Sequence, residues 1–139
     1  MILVIDASVI IKWLFQDPER EADTEQATAL MAAVARGDLT VVQPPHWLIE
    51  VAAVMARETP ERAQRDLALL EAMALPVRGD APVLTRACTL AIDLGHHLFD
   101  TLYHAVALES EACLITVDDR YHRKAEALPA IRLLHHWDG

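Results

Sequence analysis

Basic residues are in short supply: 12 Lys and Arg stand against 21 Asp and Glu, a formal net charge of −9 over 139 residues. Nucleic-acid binders ordinarily carry a positive surface that releases counterions from phosphate. A phosphate-bearing substrate therefore requires divalent cations or a basic partner to neutralise the acids. Glycine is scarce, 4 residues, and no G-x-G-x-x-G occurs, which excludes dinucleotide binding. Cys88 and Cys113 lack C-x-x-C spacing, which argues against a disulfide framework or zinc knuckle and predicts core packing for both. The longest apolar run, Ala29 to Ala35, is too short to cross a bilayer. The N-terminal apolar segment has no basic n-region and is interrupted by Asp6 and Lys12, so a cytoplasmic protein is expected. Trp13, Trp47 and Trp137 show no regular aromatic interleaving, and base stacking on them is not indicated.

What is present is 53% apolar residues with charges spread along the chain, a composition that excludes disordered and fibrous classes. No Pro, Gly or Ser tract marks a boundary, and the length is near the commonest domain size, so residues 1–139 are expected to form one domain.

Ile2 to Ile5 reads as a buried strand delivering Asp6 to its carboxyl end. A short helix follows from Ser8 to Phe15, broken at Asp17-Pro18. Glu19 to Arg36 begins with acids and continues with an apolar face of Ala27, Leu30, Met31 and Val34, a second helix stopped at Gly37. Leu39 to Gln43 is a second strand, closed by Pro44-Pro45. Pro45 to Arg57 has helical periodicity with Trp47, Val51, Val54 and Met55 on one face. Glu50 falls on that same face, where an unpaired charge costs roughly 3–5 kcal/mol, so it must be ion-paired or holding a metal. Thr59-Pro60 is an N-cap and N1 pair for a helix to about Met73, and Leu75 to Arg78 is a weak third strand. Pro82 to Leu94 is helical, His96 to Phe99 a loop, and Asp100 opens the next helix. Ala112 to Val117 repeats the opening grammar, an apolar run ending in acid at Asp118. A helix over Asp119 to Leu128 and a strand over Ile131 to Leu134 complete the chain. Alternating strands and helices predict an α/β fold, a parallel five-stranded sheet with helices on both faces.

Asp6, Glu50, Asp100 and Asp118 thus each sit at a strand's carboxyl end or on a helix start or face able to reach that edge, where α/β folds place their ligand sites. Capping roles account for Asp6 and Asp100 individually. Convergence of all four would bring negative charges together and require protons, basic residues or a cation. Oxygen donors without Cys or arranged His favour Mg2+ or Mn2+, and such ions orient an attacking water and stabilise the leaving oxygen in phosphodiester cleavage.

Ile5-Asp6-Ala7-Ser8-Val9, Pro45 through Glu50-Val51, Phe99-Asp100-Thr101-Leu102-Tyr103 and Thr116-Val117-Asp118 resemble, in order and spacing, the four signature blocks of the PIN-domain ribonucleases, VapC-type toxins in particular. The resemblance covers nearly the whole chain. It implies a three-layer α/β/α fold, dimerisation, Mg2+ or Mn2+ at Asp6, Glu50, Asp100 and Asp118, and endonucleolytic cleavage of tRNA or rRNA leaving a 5′-phosphate and a 3′-hydroxyl. It also implies a small, DNA-binding antitoxin as partner. Ser8 and Thr116 match hydroxyl positions beside the acids, and Asp119 is a candidate outer acid. Thr101 replaces the family's common Ala, and Val117 its usual small residue.

None of the seven histidines shows H-E-x-x-H or paired Cys/His spacing, so surface or packing roles are expected. His104, four residues after Asp100, is the one placed to stand behind the acids. Lys12, Arg86, Arg120, Arg123 and Lys124 are candidates to meet RNA phosphate, with solvated helix faces as the equal alternative. Two other functions compete. A phosphotransfer receiver needs an acidic pair after the first strand and a lysine on the last, whereas Ala7 follows Asp6 and Arg132 is the only cation in Ile131 to His135. A non-catalytic scaffold of the same fold would not need all four acids.

Overall fold

The computed structural model describes residues 1–16 and 23–138. Its centre is β1 (Ile2–Ile5), whose Leu3, Val4 and Ile5 are fully buried. A strand covered on both faces reads as an unbroken aliphatic run, as this one does. It pairs in parallel with β2 (Thr40–Val41) on one side and β3 (Cys113–Thr116) on the other, and β3 pairs in parallel with β4 (Ile131–Leu133). The sheet order is β2-β1-β3-β4.

Helices flank this sheet, as the three-layer α/β/α expectation requires. After β1 come α1 (Ala7–Phe15) and α2 (Thr24–Ala35), and after β2 come α3 (Trp47–Glu58), α4 (Ala63–Ala72), α5 (Ala81–Leu94) and α6 (Leu98–Glu109). The last helix, α7 (Asp119–Lys124), links β3 to β4. One group is α1 packed with α2 and α3, and the other is α5 packed on α6, which lies against β1 and β3. Every residue of α6 from Thr101 to Ala107 is buried, because small Ala residues alternate with larger ones and let sheet and α5 approach closely. The Thr101 hydroxyl donates to the carbonyl of Ala87 on α5 at 2.9 Å.

The sheet has four strands, not the expected five. Leu75 to Arg78 contributes only an isolated parallel bridge, Gln43 to Val77. Pro76 has no N–H to donate and Val77 is 54% exposed, so the segment lacks the burial and the full run of donors of a strand. Gln43 compensates. Its backbone bonds to Pro76 and Arg78, while its buried side chain accepts from Ile5 N at 2.8 Å and donates to Ile5 O at 2.9 Å. A side-chain amide thus stands in for the peptide of a missing strand residue beside Ile5, one residue before Asp6.

Other expectations change too: α7 ends at Lys124 rather than Leu128, and β2 is Thr40–Val41 rather than Leu39 to Gln43. Residues 60–62 form a turn, and α4 starts at Ala63 rather than Pro60. Helix α6 starts two residues before Asp100, with His97 at its N-cap. Cys88 is solvent-exposed on α5 instead of packed in the core, and Cys113 is half-buried. The expected break at Asp17-Pro18 and the acids Glu19 and Glu21 lie outside the described residues. Among the described residues, no helix is long and apolar enough to cross a membrane.

Candidate active site

The two strand-end acids are held alike. Asp6 is the N-cap of α1, and its Oδ2 accepts from the backbone N–H of Ser8 at 3.1 Å and from the Ser8 hydroxyl. Asp118 is the N-cap of α7, with Oδ1 accepting from Tyr121 N at 2.9 Å. The buried Thr116 hydroxyl accepts from Asp118 N at 3.1 Å. Ser8 and Thr116 therefore orient the acids beside them. Since β1 and β3 are neighbours in register and Asp6 N donates to Ile115 O at 3.0 Å, both acids leave the same sheet edge.

The two helix-borne acids are held in a second way, by histidines placed before them at helical spacing. His46, at the N-cap of α3, sets Nε2 3.1 Å from Glu50 Oε1. That oxygen also accepts from the Tyr103 hydroxyl at 2.6 Å. At the start of α6, His96 Nε2 lies 2.7 Å and His97 Nε2 3.1 Å from Asp100 Oδ2. Glu50 is therefore not a bare charge on an apolar face: its side chain is 34% exposed and one oxygen meets His46 and Tyr103. Each of the four carboxylates has one oxygen committed to these bonds, and among the described residues no bond reaches the second.

Electrostatics links the four. Burial pushes the Asp6 carboxyl up to about 6 against the opposing Ser8 bonds, and the charges of Asp100 and Glu50 add to the rise. Burial also acts to raise Glu50, but the bonds from His46 and Tyr103 outweigh it and its pKa is lowered. Tyr103, desolvated and facing the charges of Asp6 and Glu50, is pushed far up and stays a donor. Burial raises Tyr121 as well, and the charges of Asp100 and Asp118 both contribute. Asp100 therefore belongs to both neighbourhoods, that of Asp6 and Glu50 and that of Asp118. Among the described residues, no three of these carboxylates bring ligand oxygens within 4.8 Å of one another; as hard oxygen donors they suit a divalent cation, which would have to draw them together.

The remaining candidates separate. Asp119 is exposed, and its backbone carbonyl accepts from Arg123 Nε at 3.4 Å. His104 does not stand behind Asp100: it is fully buried, with Nδ1 2.9 Å from the Tyr121 hydroxyl and Nε2 2.8 Å from Pro129 O. Because a carbonyl only accepts, Nε2 carries the proton and Nδ1 accepts from Tyr121. Of the basic candidates, Lys124 reaches the site, with Nζ 3.2 Å from His96 Nδ1. Lys12 lies in the last turn of α1, and Arg120 is exposed. Arg86 pairs with Glu109 at 3.5 Å, nine residues and about 14 Å along α6 from Asp100.

Sequence reasoning passed over His46, His96, His97 and Tyr103. The histidines carried a readable signal, since a residue three or four before an acid shares its helix face. Tyr103 carried none, because its partner Glu50 lies on another helix.

A family model described as PIN domain matches residues 3–127. No curated protein sequence matches the chain significantly. Among solved structures, a toxin-antitoxin complex from Klebsiella pneumoniae superposes with a TM-score of 0.69 at 15% identity, covering 95% of this chain and 97% of the other. VapBC2 from Rickettsia felis, bound to a DNA fragment from its promoter, gives 0.68 at 16% identity over 99% and 100% of the two chains. FitAcB from Neisseria gonorrhoeae gives 0.63 at 20% identity over 99% and 100%. The profile match over most of the chain, on a fold shared with these structures, establishes that the chain belongs to the PIN-domain family.

Proposed function

We propose that this protein is a Mg2+- or Mn2+-dependent endoribonuclease, the toxin of a toxin-antitoxin pair, acting as a single domain at Asp6, Glu50, Asp100 and Asp118. The observation that carries the reading is the shared state of these acids: one oxygen of each is tied by its own helix start or a neighbouring side chain, and among the described residues nothing bonds the other. Side chains already fixed in rotamer lose little entropy on taking a ligand.

A divalent cation held by Asp6, Glu50, Asp100 and Asp118 would supply Lewis-acid activation of water and neutralise charge on the phosphate and the leaving oxygen. The chain's own part is orientation. Ser8 and Thr116 fix the strand-end acids, His46 and Tyr103 keep Glu50 ionised, and His96 and His97 hold Asp100. Attack of water on phosphorus with departure of the 3′-oxygen leaves a 5′-phosphate and a 3′-hydroxyl. The negative surface also makes sense with a cation bound, because the charge that repels RNA is lowest where the acids are neutralised.

The partners we infer are a small DNA-binding antitoxin, an RNA substrate of the tRNA or rRNA class and a second copy of the chain, in the cytoplasm. The fold shared with toxin-antitoxin complexes, one of them bound to promoter DNA, supports the antitoxin. Expressed alone in bacteria, the chain should arrest growth, and Asp6→Asn and Asp100→Asn should not. Purified, it should cleave cellular RNA with Mg2+ and stop on chelation. Equal growth of wild type and variants would remove the toxin reading, and chelator-resistant cleavage would remove the metal.

A further inference from the structure

His96 and His97 bring nitrogen to a site otherwise made of oxygen. His96 follows the C-cap Gly95 of α5 and His97 is the N-cap of α6. Their rings stack at 4.8 Å with planes 24° apart, and both direct Nε2 to one atom, Oδ2 of Asp100, at 2.7 and 3.1 Å. Among the described residues, these three form the only group of three or more His, Cys, Asp or Glu side chains whose ligand atoms all lie within 4.8 Å of one another.

We propose that His96, His97 and Asp100 form a site for a transition-metal dication of the Zn2+ class, and that filling it inhibits the nuclease by withdrawing Asp100. The inhibitory half rests on the function proposed above; the binding half does not. Two imidazoles and one carboxylate suit Zn2+ and its neighbours far better than Mg2+, which prefers oxygen and water. Tetrahedral Zn2+ with bonds of about 2.0–2.1 Å sets adjacent ligand atoms about 3.3 Å apart. The observed separations from Oδ2 are a few tenths of an ångström shorter, within reach of small side-chain rotations. His96 is 9% exposed and preset against Tyr121, whereas His97 is 66% exposed and leaves an entry path and room for a fourth, water ligand.

Lys124 opposes the ion. Its ammonium donates to His96 Nδ1 and to Gly95 O, both at 3.2 Å, so the His96 proton sits on Nε2, the atom the metal needs. Binding moves that proton to Nδ1 without loss from the ring, and Lys124 gives up one bond while keeping Gly95 O. Removing the ammonium should therefore tighten the site, which a purely structural His96 and His97 would not predict.

The test is titration of the chelator-treated full chain with Zn2+ against a chromophoric chelator, with Co2+ absorption as a second readout. We expect about one equivalent bound, at least tenfold weaker in His97→Asn, unchanged in Glu50→Gln and several-fold tighter in Lys124→Met. His97 is largely exposed, so its variant should fold, and circular dichroism checks this. Zn2+ should also suppress Mg2+-supported RNA cleavage by the wild type at concentrations near its binding constant. Wild-type binding no tighter than that of His97→Asn, or binding lost equally in Glu50→Gln, overturns the site. Zn2+ binding without suppression of cleavage overturns the inhibitory half. If no RNA is cleaved with Mg2+, the nuclease reading fails while the Zn2+ titration still decides the site.

Discussion

The Tyr103 hydroxyl donates to Glu50 Oε1 at 2.6 Å across 53 residues of sequence, and His46 Nε2 lies 3.1 Å from the same oxygen. One carboxylate oxygen is thereby held by side chains from the N-cap of α3 and from α6, and among the described residues nothing bonds the other. Charge on Glu50 is maintained by these donors despite its burial.

Tyr103→Phe should remove one charge-assisted bond while keeping the buried ring in place. We expect a loss of about 1–2 kcal/mol, at the low end for a bond to a charged group because Glu50 keeps access to water and His46. The midpoint of urea unfolding should fall with its slope unchanged, and the Glu50 pKa, read by NMR, should rise. An unaltered Glu50 pKa would show that His46 alone maintains its charge.

Asp6 makes stability depend on pH in an unusual direction. Its folded pKa of about 6 lies above the ordinary aspartate value of 3.8, so between these values the folded state binds more protons than the unfolded one. Its contribution is full below pH ~4 and is lost as pH rises toward 6. Glu50, with a lowered folded pKa, has the opposite sign and loses its contribution as pH falls through the acid range. Chelator-treated Asp6→Asn should therefore gain stability relative to wild type as pH rises from 4 to 6. Parallel stability curves for the two proteins would refute the assignment. Mg2+ affinity of the wild type should increase through the same interval, since the cation needs the carboxylate.

Gln43→Ala should be costly for an uncharged substitution. It leaves Ile5 N and Ile5 O without partners in a fully buried strand, and each unmet buried backbone group costs about 1–3 kcal/mol. A drop of about 2–4 kcal/mol in chemical denaturation is expected, with faster amide exchange at Ile5 and Asp6. Exchange unchanged at these two amides would mean that β1 keeps its order without the glutamine.

His104→Ala should destabilise by about 2–4 kcal/mol, because it empties a buried volume and strands Tyr121 OH and Pro129 O. Burial lowers the His104 pKa below 6.5, so the folded state resists a proton the unfolded chain accepts. Wild-type stability should decline as pH drops below about 6.5, and the variant should lack that component. A variant with the full wild-type acid dependence would place the titration elsewhere.

Some features were legible because they need only local chemistry. Ile2 to Ile5 followed by Asp6-Ala7-Ser8, and Cys113 to Thr116 followed by Asp118, each specify a buried parallel strand turning into a helix capped by its own acid. The weak strand over Leu75 to Arg78 misled, since a short apolar run with Pro76 inside it can make one bridge but not a ladder. The sequence predicts a loop at His96 and His97, because their pairing with Asp100 depends on α6 beginning at Leu98, two residues earlier than an Asp100 cap implies.

Period, capping and the placement of charge along the chain are enough to specify the α/β class, the parallel grammar of its strands and the four acids at strand ends, helix starts and a helix face. How those acids are held depends on packing. The phenol of Tyr103 reaches Glu50 because α6, packed on β1 and β3, brings its ring within 4.9 Å of His46 at the start of α3, and Gln43 replaces a strand because β2 ends after two residues. Contacts between distant segments depend on packing geometry, and local propensity does not encode it.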